Sequence, residues 1–227
     1  VPYVGAGVAA SAASMDKAMM KALFARAGLP QPDYRVLVGR DAAAEARLVG
    51  ELGLPLFVKP ANLGSSVGIS KVKTPGALAS ALDAAFAYDR KVVVERGLDV
   101  RELEVSVLGN DAPEASVPGE VVPDREFYDY DSKYAADSRT GLLIPAPLDP
   151  ATTQELRRLA VAAFQAVDAA GFARVDFFLD QATGRLLVNE INTIPGFTSI
   201  SMYPKLWQAT GLSYPDLLAR LVALGLE

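Results

Sequence analysis

The sequence predicts an α+β (α/β) protein built from two modules. Its 227 residues are 51% hydrophobic and 22% charged, which is the composition of a globular protein able to bury a core. Segments with helical and with strand periodicity are interspersed along the whole chain. No period of 20–50 residues recurs, so a repeat architecture is excluded.

The composition also limits the chemistry. The sequence contains no cysteine and no histidine, which excludes disulfides, Cys/His zinc sites, catalytic triads and histidine acid–base steps. Carboxylates, Lys, Arg, Tyr, Ser, backbone amides and a hard metal ion remain as the chemical groups. The formal charge of −5, with no basic run, argues against a nucleic-acid partner.

The apolar runs indicate neither a membrane span nor a signal peptide. They are interrupted well before the ~20 residues that a spanning helix needs, and no basic segment precedes an apolar one at the N-terminus. We therefore expect no membrane partner and a cytoplasmic location. Because the chain begins with Val1 rather than Met, we expect residues 1–13 to be a connection from a preceding N-terminal domain.

The first half predicts a central module, residues 14–97. Ser14 is expected to cap the first helix, which Gly28 and Pro30 end. Helices and strands then alternate. We predict strands at 34–38, 56–59, 69–73 and 91–95, and helices at 41–52 and 74–87.

A Gly/Ser turn at residues 60–68 follows the second of these strands. Lys59, which ends the strand, could contact a phosphate, while the amides of Gly64, Ser65 and Ser66 cradle another. This is not a Walker A loop, because the lysine precedes the glycines. Taken alone, the segment fits a plain turn between strands better than a phosphate site.

The second half predicts a C-terminal module, residues 98–227. Its predicted strands and helices are a strand at 101–108, two short strands within 112–122, a helix at 151–170, a hairpin at 172–180 and 185–192, and two short final helices. The polar, aromatic stretch 124–141 has no period and predicts a long loop. Lys133 and Tyr134 lie in it, which favours a lid that closes on a phosphate; an aromatic loop packed on the core is the alternative.

The hairpin gives the sharpest local prediction. Alternation places Arg174 and Asp176 on one face of the first strand, and Glu190 and Asn192 on one face of the second. A three-residue loop, Ala182-Thr183-Gly184, then brings Asp176 opposite Glu190 and Arg174 opposite Asn192. A two- or four-residue closure would put the two carboxylates on opposite faces.

Two facing carboxylates predict a cation between them. Like charges directly opposite each other destabilise a sheet, and a bound cation reverses that effect. With oxygen ligands and no His or Cys, the cation should be Mg²⁺ or Mn²⁺. The alternative is a solvated strand face that happens to carry charge.

Glu95, at the end of a strand, is followed closely by Leu98 and Glu102. The two carboxylates could hold an adenine amino group and a ribose hydroxyl. The alternative for Glu102 is a side chain that simply faces solvent.

Six motifs occur in an order that is specific as a set, although each is weak alone. They are Met15-Asp16-Lys17, Val58-Lys59-Pro60 with Gly64-Ser65-Ser66-Val67-Gly68, Arg101-Glu102-Leu103-Glu104, the loop Tyr128–Tyr134, Arg174-Val175-Asp176, and Asn189-Glu190-Ile191-Asn192-Thr193 with Pro195-Gly196. Over nearly the whole chain, the sequence resembles the D-alanine–D-alanine ligases, which are ATP-grasp enzymes. The resemblance implies an ATP-grasp fold, in which two α+β subdomains clasp the nucleotide, and a homodimer whose N-terminal domain precedes Val1.

The resemblance also implies a set of ligands. ATP is expected to contact Lys17, Lys59 and Lys133 at its phosphates, Glu95 and Leu98 at its adenine, and Glu102 at its ribose. Two Mg²⁺ (or Mn²⁺) ions are expected on Asp176, Glu190 and Asn192.

Catalytic and substrate roles follow from the same resemblance. Arg174 and the amide of Gly196 would stabilise an oxyanion, and Ser201 would bind the carboxylate of the second D-alanine. Tyr134 and Ser65 would join a hydrogen-bonded set with a glutamate of the N-terminal domain. One D-alanine carboxylate would attack the γ-phosphate, and the amine of the second would displace phosphate from the acyl phosphate.

Two alternatives stay open. The first is a D-alanine–D-lactate or D-alanine–D-serine ligase, against which Tyr134 favours the dipeptide-forming type. The second is a non-catalytic nucleotide-binding module with the ATP-grasp fold. Arg174 argues against that module, because a pure binder has no use for a guanidinium at an acyl centre.

Overall fold

The computed structural model describes residues 1–64, 67–122 and 141–227. The described helices are α1 (Val8–Met15), α2 (Lys17–Arg26), α3 (Ala42–Leu52), α4 (Leu78–Phe86), α5 (Pro150–Ala166), α6 (Met202–Ala209) and α7 (Tyr214–Leu224), with a 3-10 turn at Pro75–Ala77. The described strands are β1 (Tyr34–Val38), β2 (Leu56–Pro60), β3 (Ser70–Val72), β4 (Lys91–Arg96), β5 (Val100–Leu108), β6 (Glu114–Ala115), β7 (Gly119–Val122), β8 (Gly141–Leu143), β9 (Phe172–Asp180) and β10 (Leu186–Asn192). The predicted mixture of helices and strands is confirmed.

The first sheet has four strands in the order β1-β4-β2-β3, all antiparallel. Helices α3 and α4 cover one of its faces. Their core consists of alternate strand residues and helix leucines, among them Leu48, Leu52, Leu56, Val58, Leu82, Val92 and Val94. Because successive strand residues point to opposite sides, the other face carries Tyr34, Phe57, Lys59, Val93 and Glu95.

The second sheet has the order β10-β9-β5-β7-β8, with β6 pairing to β5. Helix α5 covers one face through a core that includes Leu103, Val105, Phe164, Val175, Phe177 and Ile191. The opposite face therefore receives the intervening residues of β5, β9 and β10, which are mostly polar. Helix α6 packs on β5, where Tyr203 and Trp207 form a smaller core with Leu108.

Helix α2 lies between the two sheets and contacts both β4 and β10. The sulfur of Met20 accepts a hydrogen bond from the amide of Ile191 in β10 at 3.4 Å. At the first residue of the helix, the amide of Lys17 donates to the carbonyl of Ala61, just after β2, at 2.9 Å. One helix thereby contacts both sheets.

The predicted start of the first helix is wrong. Residues 1–13 were expected to form a connection and Ser14 a cap, but Val8–Met15 is already helical. The backbone leaves the helical region at Asp16 (φ −98°, ψ 105°), whose carboxylate caps α2 by accepting hydrogen bonds from the amides of Ala18 and Met19. The domain boundaries themselves stay predictions.

Helix α5 ends four residues before the predicted position, at Ala166 rather than 170. Asp168 adopts a positive φ of 57°, and the amide of Ala169 donates back to the carbonyl of Phe164 at 3.1 Å. This is a left-handed closure of a helix end. None of the helices in the described part of the chain is long and apolar enough to cross a membrane.

Candidate active site between the two sheets

The hairpin of β9 and β10 has the predicted pairing at its polar end. Asp176 lies opposite Glu190, and Arg174 lies opposite Asn192. On the adjoining strand β5, Glu104 lies opposite Asp176. The register thus assembles three carboxylates, one guanidinium and one amide on a single face of the second sheet.

The hairpin reaches this register by a different route from the predicted one. The turn is closed by Asp180 and Arg185, whose backbone groups are 3.0 Å apart (N to O), so four residues rather than three lie between them. Gly184 takes the left-handed position in the turn (φ +69°), as predicted. A four-residue closure alone would have separated the carboxylates.

A β-bulge at Asn189 restores the register. Val188 pairs with Phe177, and Glu190 pairs with the next residue, Asp176, so Asn189 is the additional residue. Val188 and Ile191 both belong to the core although they are three residues apart. Strict alternation forbids that spacing, and it is the signal from which the bulge could have been predicted.

The side chains of this face form an ion network. The Nε and Nη2 atoms of Arg174 donate to the two oxygens of Asp176 at 2.6 and 2.7 Å, and Nε is 3.1 Å from Oε2 of Glu104. The amide nitrogen of Asn192 donates to Asp176 at 3.0 Å. Burial alone would lower the pKa of Arg174, but the carboxylates of Asp176, Glu104 and Glu190 outweigh it and raise the pKa above its usual value.

The predicted metal ligands Asp176, Glu190 and Asn192 lie together on this face. Within the described residues, no three His, Cys, Asp or Glu side chains lie close enough to hold a metal ion; this set has two carboxylates and one amide. Such hard oxygen donors suit Mg²⁺ as a partial ligand set, completed by phosphate and water oxygens. The residues therefore fit the ion that was expected, and their role as its ligands stays a prediction.

Gly196 and Ser201 lie side by side in the loop after β10. A Cβ atom on Gly196 would be 2.8 Å from the hydroxyl oxygen of Ser201, so no larger residue fits there without displacing that hydroxyl. The same hydroxyl accepts a hydrogen bond from the amide of Thr198 at 3.0 Å. The structure thus brings together two residues that the resemblance assigned to the acyl centre and the second substrate.

The first sheet contributes a buried ion cluster. Nζ of Lys59 donates to Oε2 of Glu95 at 2.7 Å, and Nζ of Lys21, on α2, lies 3.1 Å from Oε1 of the same carboxylate. The residues are 8%, 2% and 1% exposed for Lys59, Glu95 and Lys21. Both oxygens of Glu95 thus face ammonium groups, and its predicted place in the adenine pocket stays a prediction.

The pKa values of the cluster show how strongly its members interact. Burial alone would raise the pKa of Glu95, but the ammonium groups of Lys21 and Lys59 outweigh it and hold the pKa at about 2. For Lys21 burial prevails and lowers the pKa, while Glu95 and, on the second sheet, Glu190 act in the opposite direction. Lys21 is therefore within electrostatic reach of both sheets.

The predicted phosphate residue Lys17 lies at the start of α2. Its Nζ donates to the carbonyl oxygen of Leu63, in the Gly/Ser turn, at 2.5 Å. Nearby, Lys91 of β4 forms an ion pair with Asp16, the cap of α2. Lys17 and the end of β2 with Lys59 are therefore joined to the same turn.

The remaining predicted residues divide into two groups. Leu98 is half-buried in the connection from β4 to β5, and Glu102 lies on the same face of β5 as Glu104. Ser65, Lys133 and Tyr134 lie outside the described residues.

Sequence reasoning missed Lys21 and Glu104. Glu104 alternates with Glu102 on β5, so the period of two that was applied to β9 would have placed it on the same face. Lys21 gave a weaker signal, since it follows the buried Met20 by one residue and a lysine there is usually solvated.

A protein-family sequence model described as the D-ala D-ala ligase C-terminus matches residues 23–223. The chain belongs to this family. The family resemblance predicted from the six motifs is therefore confirmed.

Members of the D-Ala–D-Ala ligase family are similar to this chain, in sequence or in structure, over its whole length or nearly so. The D-alanine–D-alanine ligase of Heliobacterium modesticaldum is 60% identical over 232 residues, which cover 100% of this chain and 63% of the relative. The D-alanine–D-alanine ligase of Coxiella burnetii matches in structure with a TM-score of 0.87 at 41% identity, over 99% of this chain and 60% of that one. The VanG D-Ala:D-Ser ligase of Enterococcus faecalis matches with a TM-score of 0.90 at 35% identity, over 99% and 65%.

These matches confirm the ATP-grasp fold. They also show that the chain spans less than two thirds of the length of the ligases from Heliobacterium and Coxiella.

Proposed function

We propose that the protein carrying this chain is an ATP-dependent ligase that joins two D-alanine molecules into D-alanyl-D-alanine, for the synthesis of peptidoglycan precursors. The observation that carries the proposal is the pairing on the second sheet, Asp176 with Glu190 and Arg174 with Asn192. It combines a set of hard oxygen ligands with a guanidinium on one face. A site that transfers a phosphoryl group and then forms an amide needs both.

The phosphates are proposed to bind near Lys59 and Lys17 on one side and the polar end of the hairpin on the other. Lys59 and Lys17 would attract them from the first sheet and the start of α2. Asp176, Glu190 and Asn192 would hold two Mg²⁺ or Mn²⁺ ions from the second sheet. When bound, such ions neutralise the charge that develops on the transferring phosphoryl group.

The acyl centre is assigned to Arg174 and the loop after β10. After the carboxylate of one D-alanine has taken the γ-phosphoryl group, the amine of the second attacks the acyl carbon and phosphate leaves. Arg174 and the amide of Gly196 would stabilise the oxyanion of the tetrahedral intermediate. Ser201, beside Gly196, would bind the carboxylate of the incoming amino acid.

The remaining proposed roles concern the binding of adenine and ribose and the exclusion of water from the site. Glu95 and Leu98 would line the adenine pocket, and Glu102 would bind the ribose. Lys133 would reach the γ-phosphate from a lid, and Tyr134 and Ser65 would complete a hydrogen-bonded set around the substrates. Exclusion of water would protect the acyl phosphate from hydrolysis. A homodimer in the cytoplasm is part of the same proposal.

The test is a substrate-dependence assay on the complete natural protein. ADP and phosphate release are followed with ATP, Mg²⁺ and D-alanine, and the product is identified by mass spectrometry. L-alanine alone, D-alanine with D-lactate, and D-alanine with D-serine are run beside it.

Release that requires D-alanine and gives the dipeptide is the expected result. If the product contains D-lactate or D-serine, and forms with a higher kcat/KM than the D-alanine dipeptide, that molecule and not D-alanine is the second substrate. Binding of Mg-ATP with no release in any mixture would support the non-catalytic module instead.

A further inference from the structure

Lys21 is a buried cation to which the proposed mechanism assigns no role. It is 1% exposed, in the middle of α2. Burying an ammonium is costly unless other groups compensate for its lost hydration. The compensating groups come from several different elements. Lys21 is therefore held by tertiary contacts and is not a solvent-facing helix residue.

The charged and titratable groups around Lys21 come from four strands. They are Glu95 of β4 at 3.1 Å, the ring of Tyr34 of β1 with its centroid at 5.3 Å, and the more distant charges of Lys59 on β2 and Glu190 on β10. An aromatic face and two carboxylates favour the ammonium form. Lys59 opposes it.

The charges of the cluster do not cancel. Lys21 and Lys59 contribute two positive charges and Glu95 one negative charge, which leaves one positive charge. Without Lys21 the remaining pair would be neutral. Lys59 would then be fully compensated by its own carboxylate, and its attraction for an anion would be weaker.

We propose that Lys21 is a positioning residue for the nucleotide: it balances Glu95, so that the charge of Lys59 is left to attract phosphate. The inference rests on the proposed function, since it takes the anion to be the phosphates of ATP. Lys21 itself touches neither nucleotide nor acyl centre. It acts through the shared carboxylate.

The test compares ADP affinities in the complete natural protein. Binding of ADP with Mg²⁺ is measured by calorimetry, and each variant's unfolding temperature is recorded. Lys21→Met, which keeps the length and apolar character of the side chain, should weaken ADP binding roughly tenfold. Arg35→Met is the matched control: it removes one positive charge from an exposed ion pair of β1, that of Arg35 with Glu51, and should leave the affinity unchanged.

A charge-preserving variant separates charge balance from packing. Lys21→Arg keeps a positive charge beside Glu95 but changes the shape of the buried side chain, so the cluster still has one positive charge. ADP affinity should stay within about threefold of the wild-type value. A packing role for Lys21 predicts that Lys21→Arg weakens ADP binding as Lys21→Met does.

Each outcome bears on the proposal. If Lys21→Met does not fold, Lys21→Gln removes the charge while it keeps a hydrogen-bond donor near Glu95, and the same weakening is expected. An unchanged affinity with a lower unfolding temperature would overturn the role of Lys21 and leave the ligase intact. A wild-type protein that does not bind ADP would overturn the proposed function as well.

Discussion

The two sheets hold charge in opposite ways. At the first sheet lie buried ammonium groups, those of Lys59 on β2 and of Lys21 on the adjoining helix α2, which share the carboxylate of Glu95. The second presents carboxylates, with Asp176 and Glu104 gathered around Arg174. One face therefore suits an anion directly, whereas the other suits an anion only together with metal cations.

The difference also concerns how each cluster is built. The second cluster comes from neighbouring strands, so its members are fixed by register. In the first, Lys59 and Glu95 also come from paired strands, β2 and β4, but Lys21 is added from α2 by tertiary packing. We expect that changes in the first sheet affect nucleotide affinity, and that changes in the second affect the chemical steps.

The largest effect is expected on the second sheet. Glu190→Gln keeps the shape of the side chain but removes the negative charge of a proposed metal ligand, so kcat should fall at least about 100-fold. The unfolding temperature should change little, because Glu190 lies opposite another carboxylate, Asp176. The measurement is steady-state ADP release with D-alanine, with Glu114→Gln on β6 as the control; near-normal turnover would contradict the metal assignment.

A substitution in the first sheet should have a smaller effect, and one on the KM for ATP more than on kcat. Lys59→Met should raise the KM for ATP roughly tenfold because the proposed phosphate contact is lost, with a smaller change in kcat. Glu95 stays paired to Lys21, so the fold should persist. Steady-state kinetics at varied ATP concentration check this. A fall in kcat with an unchanged KM would contradict the expectation that the first sheet affects nucleotide affinity and the second the chemical steps.

The pH dependence of stability should also depend on the first sheet. The pKa of Glu95 is lowered from 4.5 to about 2, so its ionised form stabilises the fold above pH 4.5. That contribution is lost as the pH falls from 4.5 through 2. Urea unfolding across this range should show a steeper loss of unfolding free energy in the wild type than in Glu95→Gln.

The control for this pH series is Glu114→Gln, which alters a side chain that is 61% exposed. Its unfolding free energy should follow the wild-type curve. Equal slopes for all three proteins would show that Glu95 is not the group concerned.

The smallest effect is expected at the hairpin turn. Gly184→Ala should cost about 1 kcal/mol of unfolding free energy, because an alanine is strained at a φ of +69°. No atom lies within 4 Å of the added Cβ, so no clash adds to this. Kinetic constants should not change, since the bulge at Asn189 lies between the turn and the site; a large fall in kcat would show that the turn controls the register after all.

The sequence was informative where structure is local. The alternation on β9 predicted the shared face of Arg174 and Asp176, and the glycine predicted the turn. The pairing with Glu190 was nevertheless predicted with the wrong loop length, because the bulge at Asn189 added the residue that the longer turn required. Two local errors cancelled.

Sequence reasoning failed where the structure is non-local. Lys21 and Glu95 are distant along the chain, and nothing in the helical periodicity distinguishes a lysine packed between two sheets from one in solvent. The cap of α2 was missed for a simpler reason. Residues 8–13, which form most of α1, were interpreted as part of a connection, although they are rich in alanine, a strong helix former.

Helix α2, which contacts both sheets, carries methionines that can be observed by NMR. Of the four methionines in the sequence, Met19 and Met20 lie on this helix, and Met15 ends α1, with Asp16 between Met15 and α2. Met20 contacts β10 through its sulfur, while Met19 is 52% exposed. Methyl groups labelled with carbon-13 at these positions would report in one NMR spectrum how the solvent-facing and the β10-facing sides of α2 respond to nucleotide and to metal.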